Sequence, residues 1–368
     1  MNRACPRRRE IARGEYPAPG TCTSLASVRH RRGLLFSSPR FLARLGALTA
    51  LAVTLALGAA CHHAPRPRAK VVASIFPIYD LTRRVAGPDA DVELLEPPEL
   101  SPHAYVPTPA NMQQTAGASL AVTVGLDLDP WVQAAMTRMA PTGRVLRLAD
   151  RVPTMPRQPS VTDPPGRPGH NPLRRPAEEE ARKQTSIDPH VWLDPQRALL
   201  MTRAICDELC RVDPDHARGY RTRSLAVTQS LDGLDREILT RTAAWKQRSF
   251  VTMHDGFRYY AGRYHLEVAL AIEGDVGRAP AALTNQRLLQ QLRERQPGGV
   301  FGEPQIDSDR ARVLAGATKL PFGVLDPLGG TGGADSYEAL IRSDTDVLEK
   351  ALLPAAPPAS GDAGNPTP

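Results

Sequence analysis

Val71-Val72-Ala73-Ser74-Ile75 is a short apolar run, and the residues on either side of it decide the fold. The run reads as a buried strand. A helix is expected over 78–86, ended by Gly87-Pro88, and a second strand over 92–95, broken by Pro97-Pro98. Strand, helix, strand continues outward: helix 111–118, strand 120–124, helix 130–139, strand 145–148. The second half repeats the pattern, with strands 250–253, 268–272, 299–301 and 323–325 and helices 257–264, 284–295, 307–318 and 336–352. Such alternation predicts an α/β protein in which two lobes each hold a central, mainly parallel sheet flanked by helices.

Two helices are expected between the halves. One covers 195–210. The other starts near Asp215, runs to about Trp245, and places Val227, Leu231, Leu234 and Ile238 on one apolar stripe. It is the candidate connector. The expected organisation is a leader (1–60), an anchor linker (61–69), an N-terminal lobe (70–212), a connecting helix (213–247), a C-terminal lobe (248–353) and a disordered tail (354–368). Residues 151–186 are rich in Pro, Arg and Gly and poor in large apolar side chains, so a mobile surface loop is expected there.

The net charge of +7 suggests a nucleic-acid partner until it is divided along the chain. Residues 1–60 carry ten Arg and two Glu, a net of +8, and the remainder nets −1. The body therefore has no global attraction for a phosphate backbone, and no nucleic-acid partner is expected. The leader reads as an export signal: Arg40 and Arg44 precede an uncharged apolar run of 45–60, too short to span a membrane. The small residues before Cys61 predict a lipid anchor on that cysteine, although Gly58 stands where a branched apolar residue is usual. Residues 1–30 read as lying upstream of a translation start nearer Val28 or Leu34. Past Cys61 only Cys206 and Cys210 remain, four apart on a helix face and poorly placed for a disulfide; small packing residues are expected.

Four residues stand in distinctive strings: His103 in Ser-Pro-His-Ala-Tyr-Val-Pro, His190 in Asp-Pro-His-Val-Trp-Leu-Asp-Pro, His254 in Met-His-Asp-Gly-Phe and Asp326 in Leu-Asp-Pro-Leu-Gly-Gly. Three imidazoles and a carboxylate suit a tetrahedral Zn2+ and leave no position open for an attacking water. Their wide separation matches no zinc-finger or H-E-x-x-H spacing. Their context says more, because His254 and Asp326 each follow an expected strand at its carboxyl end, where open α/β sheets bind ligands. Each residue alone also has a plain reading: a loop histidine, or an aspartate capping a turn before proline. Asp188 or Asp194 is a cap or an orienting partner of the His190 ring. Glu303, also past a strand, rivals Asp326 as the oxygen ligand. His62, His63, His170, His216 and His265 read as idle, the last two on helix surfaces.

At these strings the chain resembles the substrate-binding proteins of zinc and manganese ABC importers, most closely the zinc-uptake branch. The likeness runs from about Lys70 to Leu352. Residues 71–80 resemble the family's first strand and helix. The strings at 102–109, 188–195, 254–261 and 325–330 resemble its ligand loops, which puts ligands at His103, His190, His254 and Asp326. The resemblance implies two lobes joined by one long rigid helix. It also implies capture of a divalent metal outside the membrane, in the periplasm or at the cell surface, and delivery to a permease and its ATPase by a monomer without catalytic activity. Manganese-type members carry Glu at the third position. His254 here makes the set nitrogen-rich, which favours Zn2+ over Mn2+ or Fe2+. Unlike much of the zinc branch, the segment before the second ligand loop holds one His among many Arg and Pro. Two competing readings are a metallohydrolase with Glu303 as its base and a surface adhesin that keeps the same fold.

Overall fold

The computed structural model describes residues 68–157, 187–273, 286–306 and 308–353. The leader, Cys61, most of the 151–186 segment and the tail lie outside the described residues. The first sheet contains β1 (Ala69–Ala73), β2 (Ala90–Leu94), β3 (Leu120–Thr123) and β4 (Arg144–Arg147) in the order β2-β1-β3-β4, all parallel. The second contains β5 (Ser249–His254), β6 (Glu267–Glu273), β7 (Val300–Gly302) and β8 (Phe322–Val324) in the order β6-β5-β7-β8, again all parallel. The two sheets share one permuted order, with the first strand of each at the centre and the chain turning in opposite directions from it. In both, the crevice past the carboxyl ends of the central strands is the natural ligand position.

Parallel strands are joined by crossover helices, so both faces of each sheet are covered. In β1, Val71 and Ala73 enter one large core, whereas Val72 joins a smaller cluster with Ala121, Val132 and Met136 on the other face. Along β5, Phe250 joins the large core while Val251 and Met253 pack against Leu288, Leu292 and Leu314. The helices of the first lobe are α1 (Phe76–Ala86), α2 (Pro109–Gln114), α3 (Pro130–Met139) and α4 (Pro195–Val212), each with proline in its first turn. Proline there gives up an N–H that has no helical partner in any case. The Thr108 side chain caps α2 in a reciprocal capping box with Asn111.

The helix expected to be the connector is α5 (Ala217–Ala243), 27 residues and about 40 Å long at 1.5 Å per residue. Val227, Leu231, Leu234 and Ile238 are buried along one stripe, as their spacing predicts. The second lobe adds α6 (Arg258–Arg263), α7 (Gln286–Arg295), α8 (Ser308–Thr318) and α9 (Tyr337–Leu352). Two polar clasps tie connector and lobes together. Asp235 of α5 accepts from Gln196 of α4 at 2.9 Å, from Arg263 of α6 through Nε at 2.8 Å, and from the Tyr264 hydroxyl at 3.3 Å. Glu338 of α9 accepts two bonds from Arg84 of α1, at 2.6 and 2.8 Å, and one from Ser230 of α5 at 2.7 Å.

Cys206 and Cys210 are free thiols, and Cys206 is buried. Burial, and then Cys210, pushes the Cys206 thiol up to about 11, which suits a packing residue. His265 lies in a turn rather than on a helix: its φ of 56° is left-handed, between α6 and β6. Among the described residues no helix is long and apolar enough to cross a membrane.

Candidate metal centre

His254 is the last residue of β5, so the sheet itself fixes its backbone. It is 5% exposed, and its Nδ1 lies 3.4 Å from Oε2 of Glu303, the residue directly after β7. These two side chains stand at the switch point of the second sheet, where β5 and β7 run side by side. Burial works to lower the His254 pKa, but the Glu303 carboxylate outweighs it and the net direction is upward.

His190 comes from the other half of the chain. It precedes a 3-10 turn (Val191–Leu193) that leads through the Asp194 cap into α4. Asp188 grips it twice: Oδ1 accepts from the His190 backbone N–H at 3.0 Å and faces ring Nδ1 at 2.8 Å. That contact directs Nε2 away from the carboxylate, the arrangement metal-binding histidines adopt. Burial, then the His254 ring, pushes His190 well below the usual imidazole range and favours the neutral form that a metal needs. Second-lobe groups clamp the whole segment. The Tyr259 hydroxyl donates to the Asp188 carbonyl at 2.8 Å, Trp192 Nε1 donates to the Pro327 carbonyl at 2.7 Å, and the Tyr337 hydroxyl donates to the Trp192 carbonyl at 2.6 Å.

His103 completes the group from the turn between β2 and α2. Its Nε2 is 3.1 Å from Nε2 of His190, and the three ring centroids are 4.7 to 5.1 Å apart. One nitrogen from each ring lies within 4.8 Å of the other two. Donors 2.0–2.1 Å from a tetrahedral centre are about 3.3 Å apart, so the His103–His190 separation is already that of two ligands of one ion. Gly256 leaves room for the rings, since a Cβ there would come within 3.3 Å of His254 Nδ1 and 3.6 Å of His190 Nε2.

Asp326 is not among the donors that meet within that distance. It stands two residues past β8, at the carboxyl end expected for it. Its Oδ1 accepts from Gln305 Nε2 at 2.8 Å and from the Leu328 amide at 3.0 Å. Its own N–H donates to Asp344, a buried acid that burial holds well above the carboxylate range. The structure thus brings three of the four sequence candidates together and does not place the fourth within the same group. Of the two options left open for Asp188, the orienting partner is the observed one. Gln305 was invisible to the sequence argument, although Glu303-Pro304-Gln305 follows a strand end as His254 and Asp326 do.

Comparison with known proteins agrees with this architecture. The chain is 32% identical over 167 residues to the high-affinity zinc uptake system protein ZnuA of Brucella abortus, a match covering 45% of this chain and 50% of that protein. It is 26% identical over 308 residues to the zinc-binding protein AdcA of Streptococcus pyogenes, covering 78% of this chain and 58% of that one. The chain therefore spans about half the length of the curated relatives it matches. The structure of the periplasmic zinc-binding protein TroA from Treponema pallidum superposes with a TM-score of 0.64 over 78% of this chain and all of the other, at 22% identity, which establishes the shared fold. A family model described as zinc-uptake complex component A, periplasmic, matches residues 71–351. The chain belongs to that family.

Proposed function

We propose that the protein captures Zn2+ outside the cytoplasmic membrane and hands it to the permease of an ABC importer, with His103, His190, His254 and Asp326 as the ligands. The observation that carries this reading is the convergence of three imidazoles from three separate segments, two of them buried, with their ring nitrogens within 4.8 Å of one another. Gathering imidazole nitrogens in a mostly buried site is costly, and a shared cation repays that cost. A nitrogen-rich set suits zinc better than manganese or iron, which remain the secondary candidates. The Zn2+ is cargo in this scheme. The rings hold it, Asp188 and Glu303 orient two of them, and α5 with its clasps limits closing to a small movement. No catalytic step belongs to the reading, because Glu303 faces a histidine ring and a hydrolytic base would face a bound water. Attachment by lipid at Cys61, a monomeric state and a boundary between lobes at the connecting helix are parts of the same proposal.

Competition titration against a chromogenic zinc chelator tests it. His254→Ala should weaken binding by more than the 10–100-fold that losing an orienting partner costs, and Asp326→Ala by less than His254→Ala. Unchanged affinity in His254→Ala removes the assignment.

A further inference from the structure

Gln305 touches both halves of the site. It lies three residues past β7, half-buried, and its amide nitrogen makes two hydrogen bonds. One goes to Asp326 Oδ1 at 2.8 Å. The other goes to the carbonyl of Pro98 at 3.1 Å. Pro98 lies in the first-lobe loop between β2 and α2 that also carries His103, and Asp326 follows β8 of the second sheet. A single side chain therefore links the loop of one candidate ligand to the carboxylate of another.

The consequence for Asp326 is chemical. A carboxylate can meet a cation through one oxygen or through both. Oδ1 already accepts from Gln305 and from the Leu328 amide, whereas the described residues give Oδ2 no hydrogen bond. Pro98 holds the Gln305 amide from its other side, so the amide cannot turn away without losing a bond. Both partners are acceptors, so the NH2 end of the amide must face them, and its carbonyl oxygen is left buried without a partner.

We infer that Gln305 is a positioning residue that makes Asp326 a one-oxygen ligand and so restricts the captured ion to four-coordinate geometry. The inference rests on the metal-capture reading above, with Asp326 as fourth ligand. Three imidazole nitrogens and one carboxylate oxygen form the tetrahedral set that Zn2+ accepts. A carboxylate free to chelate with both oxygens raises the coordination number and moves the site toward the oxygen-rich, higher-coordinate preferences of Mn2+. Asp326 must also approach the imidazoles when the ion is bound. The bond to Pro98 makes the carboxylate and the His103 loop move together.

The test uses Co2+ as a spectroscopic stand-in, together with Zn2+ and Mn2+ competition titrations, on the full chain. Gln305→Met and Gln305→Leu remove both hydrogen bonds with side chains of different shape, and thermal melts report whether each variant is folded. Four-coordinate Co2+ absorbs strongly in the visible, and five- or six-coordinate Co2+ weakly. Both variants should lose visible intensity, and the preference for Zn2+ over Mn2+ should fall by about tenfold, the lower end of what outer partners of metal ligands contribute. Adding Gln305→Met to Asp326→Ala should change neither quantity further, because the effect runs through that carboxylate. A wild-type spectrum and preference in a folded Gln305 variant overturn the inference. So does an equal effect of Gln305→Met when Asp326 is absent. Failure of the wild type to take up either Co2+ or Zn2+ instead sinks the metal-capture reading on which this one rests.

Discussion

Two glutamates sit just past strands, one in each lobe, and both are 3% exposed. Glu96 follows β2 by two residues, and Glu303 follows β7 directly. Their surroundings differ. Glu303 faces the ring of His254, whose charged form it supports. Glu96 accepts from the indole N–H of Trp131 at 2.9 Å and has Asp129 nearby. Burial first, with Asp129 adding to it, pushes Glu96 up to about 8. At neutral pH it keeps its proton. The second sheet ends in a carboxylate–imidazole pair, whereas the first ends in a neutral acid. The first lobe accordingly supplies its imidazoles from elsewhere: His103 from a loop, and His190 from a turn clamped by the second lobe. Equal strand orders do not imply equal sheet ends, because the charge next to each buried acid decides its role.

The largest expected effect concerns what holds the unlike lobes together. Asp235 is 2% exposed and bonded to groups from both lobes. Asp235→Ala leaves Arg263 without its carboxylate and empties the centre of the clasp. A loss of about 3 kcal/mol is expected, the lower end for breaking a buried pair because Arg263 is partly solvated. Denaturant unfolding measures it. A change below about 0.5 kcal/mol would mean that apolar packing along α5 joins the lobes unaided.

Replacing Glu96 by Gln attacks the comparison directly. A group whose folded pKa is raised stabilises fully below its unfolded value, here 4.5, and loses that stabilisation as pH rises toward about 8. The wild type should therefore lose stability across that window, and Glu96→Gln should lose less, so that the two curves separate progressively toward pH 8. Parallel curves would show that Glu96 is ionised in the native state and that the two sheet ends are alike after all.

Asp188→Ala sharpens the comparison inside the site. His190 depends on Asp188 for its ring orientation as His254 depends on Glu303, but the Asp188 contact is shorter, 2.8 Å against 3.4 Å. Zinc affinity should fall about 10–100-fold in Asp188→Ala, and by less in Glu303→Ala. Chelator competition gives both numbers, and the reverse order would shift the anchoring role to the second sheet.

Local chemistry explains which features the sequence disclosed. Pro130 at the start of α3 marked its first residue, and the stripe from Val227 to Ile238 marked the buried face of α5. His254 was legible as a candidate site residue because a strand end is a position that an α/β sheet offers to ligands. His103 and His190 were legible only through the strings around them, since no periodicity places a loop residue in space. The clasps were not legible. Arg84 and Glu338 are 254 residues apart, and nothing near either one names the other. The Gln305 bridge to Pro98 spans 207 residues for the same reason. The left-handed turn at His265 also escaped: the expected helix stops at 264, but a histidine gives no sign that its own φ is positive.

The smallest expected effect separates a strut from a hinge. Gly233 lies inside α5, next to the Asp235 clasp, and a Cβ added there meets nothing within 4 Å. Glycine inside a helix costs up to about 1 kcal/mol relative to alanine through the backbone freedom it loses on folding. Gly233→Ala should therefore stabilise the protein by about 0.5–1 kcal/mol in thermal or denaturant unfolding. If α5 acts as a rigid strut, zinc affinity and release rate should match the wild type, since the helix is straightened no further by losing an unused freedom. If the lobes close by bending at Gly233, the same substitution should slow release or weaken binding while it raises stability. That opposition distinguishes two unlike lobes held at a fixed angle from two lobes that swing.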